Sequence, residues 1–129
     1  MVDHSSFVSV EKRELTSREA ELTEALTTSN SEWASLDVKT LRVIGECRCG
    51  CQSVVFEKPR EPQNARAVGH QNLVGEMSVS IKTQGTDDII SVLLHFAEGS
   101  LSLLEIVWYN FPEPIPENWT EVGREVFPR

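Results

Sequence analysis

Apolar side chains recur along this chain with two periods, one helical and one extended. Leu22, Leu26 and Trp33 stand four and seven residues apart. At about 3.6 residues per turn they share one face, with Glu21, Glu24 and Glu32 mostly off that stripe. Thr16 followed three residues later by Glu19 spells a capping box, in which each side chain satisfies an orphan amide at the helix start. The spacing predicts a helix over 17–27, with Leu15 just before its cap. It frays in Thr27-Thr28-Ser29-Asn30-Ser31, which is poor helix material.

The period then changes to two. Leu41, Val43, Gly45 and Cys47 alternate with Arg42, Ile44 and Glu46, and Cys51, Ser53 and Val55 alternate with Gln52, Val54 and Phe56. The segment reads as a hairpin about Arg48-Cys49-Gly50, with Gly50 at the positive φ of a type I turn and G1 bulge. That register sets Cys47 opposite Cys51 and Val43 near Val55, and leaves Cys49 at the tip.

Leu73 to Thr83 alternates in Met77, Val79 and Ile81 and reads as a half-buried strand. Asp88 to Ala97 and Ser100 to Tyr109 form a second hairpin, closed by Glu98-Gly99. Here Ile90, Val92, Leu94 and Phe96 share a face with Leu101, Leu103, Glu105 and Val107. Ile89, Leu93 and His95 share the other with Leu104, Ile106 and Trp108. Both faces are apolar, so the hairpin is expected at the centre of a sheet, covered on both sides. One short helix cannot supply both covers. The second is expected from the C-terminal tail, the N-terminal segment or another chain. The register also puts Glu105 and His95 on opposite faces, where they cannot form a pair.

The regions between are distinct in composition. Residues 58–72 hold two prolines, three basic side chains, two glutamines and two asparagines, and read as a long loop. The tail, 110–129, contains Phe111-Pro112-Glu113-Pro114-Ile115-Pro116, whose prolines enforce an extended path unsuited to a central strand. Pro116 to Glu125 reads as a short helix. With 1–14 as an N-terminal segment, 15–36 as the helix region and 41–109 as the sheet, residues 1–129 form one α+β domain. Its expected architecture is a twisted antiparallel sheet of about five strands with the N-terminal helix packed on it.

Charge narrows the function. The net charge is −8, and residues 1–40 and 98–129 each carry −4. No basic stripe offers itself to nucleic acid, and an acidic surface repels anionic lipid and attracts basic partners. No apolar run approaches the ~20 residues that span a bilayer, and Met1 to Ser6 has neither the basic nor the apolar region of a secretory signal. A cytoplasmic location is therefore expected, and there thiols stay reduced. The aromatics Trp108, Tyr109, Phe111 and Trp119 gather at the acidic end, a mixture common at protein interfaces. Glu113, Glu117, Trp119 and Glu121 are the expected partner contacts.

The three cysteines, Cys47, Cys49 and Cys51, admit other readings. On one strand, residues i and i+2 lie about 6.5 Å apart, too far to share a metal without a bend. A zinc site would also need a fourth ligand, and neither His70 nor His95 stands at a recognised spacing. A redox pair of Cys47 and Cys51, or a thiol nucleophile of Cys49 with His95, are further alternatives. Small buried side chains flanking a tight turn account for Cys47 and Cys51 most simply. The expected protein is not an enzyme and needs no cofactor. A small metal- or thiol-dependent protein built on the cluster is the alternative.

Four stretches together carry a resemblance. Leu15-Thr16-Ser17-Arg18-Glu19, Cys49-Gly50-Cys51-Gln52-Ser53-Val54-Val55-Phe56, Gly99-Ser100-Leu101-Ser102-Leu103-Leu104-Glu105-Ile106 and Pro112 to Pro116 resemble a family of small, mostly uncharacterised bacterial proteins. Its marks are a helix start, a Cys-Gly-Cys turn and a Gly-x-Leu-x-x-Leu-Glu strand, and the likeness spans about residues 15–116. It brings no catalytic residues. In size, charge and α+β build the chain also looks like the immunity proteins of toxin–antitoxin and contact-dependent growth inhibition systems. That likeness implies direct binding of a basic, nuclease-type protein toxin. A homodimer is compatible with either.

Overall fold

The helix begins where its cap dictates. In the computed structural model, which describes residues 7–48, 51–57, 71–83, 86–97, 99–108, 115 and 118–127, helix α1 runs Ser17–Thr28. Thr16 Oγ1 accepts from the Glu19 amide at 3.2 Å, and Glu19 Oε1 accepts from the Thr16 amide at 2.9 Å. This is the capping box read from the sequence. At the other end Asn30 Nδ2 donates to the Val74 carbonyl at 2.9 Å, which ties the helix exit to the sheet.

Seven strands make one antiparallel sheet. They are β1 (Phe7–Glu14), β2 (Arg42–Cys47), β3 (Val54–Phe56), β4 (Gln71–Thr83), β5 (Thr86–Ala97), β6 (Ser100–Trp108) and β7 (Thr120–Phe127). Their order is β1-β2-β3-β6-β5-β4-β7. The α+β class and the antiparallel sheet agree with the sequence reading, and the β5–β6 hairpin lies centrally as expected. The strand count is seven rather than five. β1 comes from the expected N-terminal segment. β7 replaces the short helix expected over 116–125.

Both additions are edge strands, and the physical reason is shared. Local propensity at an edge is weak, and the ladder of a neighbouring strand decides. In β7, Val122, Gly123 and Val126 are poor helix residues, and pairing from Glu76↔Phe127 to Lys82↔Thr120 satisfies the backbone instead.

One face of the sheet carries the core. Directly opposed residues share a face, so Val92 and Ile106, Leu94 and Leu104, Ile90 and Trp108, and Val79 and Ile90 stack on one side. All are buried, together with Leu22 and Leu26 of α1. Trp119 joins the same cluster and lines one shallow recess with Leu22, so the tail helps α1 cover this face. Leu93, Leu103 and Val107 on the reverse face are only half-buried, and Ile89 is 51% exposed. The full second cover expected from the sequence is not seen among the described residues.

An ion cluster fixes where β1, α1 and β2 meet. Arg13 donates to Glu19 through Nη1 at 2.8 Å and Nη2 at 3.0 Å, and to Glu46 through Nε and Nη2 at 3.1 Å. Burial alone would raise the Glu19 carboxyl, but the hydrogen bonds from Arg13 and the Thr16 amide hold it below its ordinary value of 4.5. A carboxyl depressed in the folded state adds stability above its unfolded value, and that stability is lost as pH falls through the folded one. Glu19→Gln is therefore expected to cost about 1–2 kcal/mol at neutral pH. In urea titrations the gap from wild type should narrow steadily as pH is taken from about 7 to about 2. A gap independent of pH would show that the charge contributes nothing.

Candidate functional site

A cleft of about 630 Å³ opens where the N-terminus of α1 faces the end of β2 and the segment after the cysteines. Arg13, Arg18, Glu46, Cys47, Gln52 and Ser53 line it. Gln52 has φ of 67°, the left-handed region that costs an ordinary residue about 1 kcal/mol. Two anchors hold this turn. Ser53 is fully buried, and its Oγ accepts from the Ile106 amide at 2.8 Å and from the Cys51 thiol at 3.1 Å. Gln52 Oε1 accepts from Trp119 Nε1 at 3.2 Å. Arg18 completes the join: its guanidinium lies 3.6 Å from the centre of the Trp119 ring, and its Nη2 donates to the Trp119 carbonyl at 2.5 Å. The cysteine segment and the tryptophan of the tail, far apart in sequence, thus meet at one place.

The expected contacts fare differently. Trp119 is 2% exposed, so it is a core anchor and not a surface contact. Only a tertiary neighbour such as Arg18 could reveal this. Glu121 is exposed on β7, where Arg124 grips it with two hydrogen bonds of 2.6 Å. That bond, more than the burial opposing it, raises the Arg124 guanidinium. Glu113 and Glu117 lie outside the described residues, as do Cys49, Gly50 and most of the expected loop over 58–72.

The cysteine hairpin is corrected in register. Cys47 does not oppose Cys51. Its amide donates to the Ser53 carbonyl at 3.1 Å, and Gly45 pairs with Val55 and Glu46 with Val54. Val43 pairs with Phe56 rather than with Val55, and a bulge separates this pair from Gly45↔Val55. The turn is longer than three residues because Ser53 is committed to β6. Cys47 and Cys51 are both buried, as expected of small packed side chains. Among the described residues, no group of three or more His, Cys, Asp or Glu stands close enough to hold a metal. The pairing of Cys49 with His95 falls outside the described residues.

The second correction concerns His95 and Glu105. At the tip the β5–β6 hairpin has the expected register, Ala97↔Ser100 and Phe96↔Leu101. Ser102 is then an extra residue, and pairing resumes as His95↔Leu103, Leu94↔Leu104 and Leu93↔Glu105. This bulge moves everything beyond it to the other face. Glu105 therefore arrives diagonally beside His95, with Oε1 at 2.8 Å from Nε2, and side-chain exposures of 10% and 16%. An unbroken register, as the alternation alone predicts, would have kept the two on opposite faces. The serine itself is buried with its hydroxyl unpartnered. No turn signal marks this bulge in the chain.

An acidic surface lies beside the cleft. Glu21 and Glu24 of α1 are exposed, and Glu21 and Glu121 line the same shallow recess next to Trp119. On β7, Val122 is 61% and Phe127 42% exposed. With Ile89 these are the exposed large hydrophobics among the described residues. The sequence pattern hides Val122 and Phe127 because it places them in or just beyond a short helix. No helix among the described residues is long and apolar enough to cross a membrane. No family model, no curated protein and no solved structure matches the chain.

Proposed function

We infer that the protein is a non-enzymatic binding domain that neutralises a basic, nuclease-type bacterial toxin by covering it, in the manner of an immunity protein of the cytoplasm. The observation that carries this reading is the surface shared by α1 and β7. Exposed Glu21 and Glu121 line one recess there, and β7 also carries Glu125, Val122 and Phe127 exposed. Acidic side chains speed capture of a basic protein, and apolar side chains desolvated at the centre slow its release. The net charge of −8 acts in the same direction.

Co-expression with the product of the adjacent open reading frame tests the reading. The wild-type chain is expected to restore growth and to form a purified complex weakened by salt. Lysine at Glu21, Glu121 and Glu125 together is expected to weaken that complex by about tenfold or more. Failure of the wild-type pair to associate at low salt, or indifference to the triple substitution, would sink the proposal.

A further inference from the structure

We propose that β7 is a docking edge, which takes up an extended basic segment of the partner as an eighth strand. The inference rests on the binding function proposed above and adds its mode. The sheet has two ends, and they differ. β1 carries the charged run Glu11-Lys12-Arg13-Glu14 and no exposed large hydrophobic. That is how edge strands are normally protected. β7, at the other end, carries both Val122 and Phe127 exposed. A long edge of this kind offers unpaired backbone groups to an incoming strand.

The reverse face of the sheet says which side chains fit. Gly123 pairs with Ser80, and Ser80 with Ile89, so these three form one row across the sheet. A Cβ built at Gly123 meets nothing within 4 Å, and Ile89 at the far end of the row is half-exposed. The row is a trough open to the edge. A large apolar side chain opposite Gly123 would lie over the glycine, as aromatic residues do beside strand glycines. Two residues along on the same face, Glu125 calls for lysine or arginine, and Phe127 for another apolar group.

Charge argues against a second copy in this place. Antiparallel self-pairing sets like charges opposite each other in two registers of β7. Centring on Arg124 opposes arginine to arginine, and centring on Glu125 opposes glutamate to glutamate. Like charges directly opposed are destabilising. A basic strand meets none of these conflicts.

The probe is the labelled peptide Val-Thr-Lys-Thr-Trp-Thr-Arg, which places lysine and tryptophan two residues apart on one face. Its controls are the same peptide N-methylated at alternate residues and a version with glutamate for lysine. The full chain is expected to bind the parent peptide at least tenfold more tightly than either control, as read by fluorescence anisotropy. Binding should slow amide exchange over residues 120–127. Val122→Lys with Phe127→Lys should reduce binding by at least tenfold with unchanged thermal stability. Equal binding of the N-methylated peptide, or no binding of the parent, overturns the edge. So does a concentration-dependent dimer that Val122→Lys abolishes, which would give the edge to a second copy. A toxin complex untouched by the double substitution discards the edge and leaves the binding function standing. Absence of any wild-type complex removes the function itself.

Discussion

Replacing Trp119 with alanine is expected to destabilise the fold by about 4 kcal/mol, a larger effect than any other single substitution proposed for this chain. The indole is nearly fully buried, and its removal opens a cavity in the core cluster that also holds Leu22. It also strips the ring beneath Arg18 and leaves Gln52 Oε1 without the indole donor. Trp119→Phe separates these contributions. It keeps most of the apolar volume and loses the hydrogen bond, so about 1–2 kcal/mol is expected. Urea unfolding measures both. If alanine cost less than about 1 kcal/mol, Trp119 would not be a core residue, and its place as a partner contact would be restored.

The second large effect is expected at His95. Changing it to leucine leaves the Glu105 carboxylate poorly exposed and deprived of its imidazole neighbour, at a cost of about 3 kcal/mol. Changing both His95 and Glu105 to leucine should recover most of that loss, to within about 1 kcal/mol of wild type. Well-packed apolar groups often replace a buried polar pair without penalty. A double variant as unstable as the single one would show that the pair organises more than itself.

Both effects depend on placements that the chain reveals unequally. The capping box of Thr16 and Glu19 is local, and the helix forms over Ser17–Thr28 almost as its spacing predicts. The alternation in 88–108 marks a hairpin apolar on both faces, and the strand order puts it at the centre. Ser102 has no comparable mark. A bulge of one residue reverses every side chain after it, so a shift of one in register turns an impossible His–Glu pair into a real one. The tail misleads in the same way. Prolines and acids before Trp119 describe an exposed path, yet the indole finds Arg18 and Gln52 across the fold.

Periodicity and capping depend on neighbours a few residues away, so the helix, the alternating strands and the acidic character could be read from the order of residues. Edge strands, the bulge, the meeting of the cysteine segment with Trp119 and the exposure of Val122 and Phe127 depend on groups brought together from distant parts of the chain. The energies that settle them come from burial and backbone pairing across the sheet, and these exist only once the chain has folded.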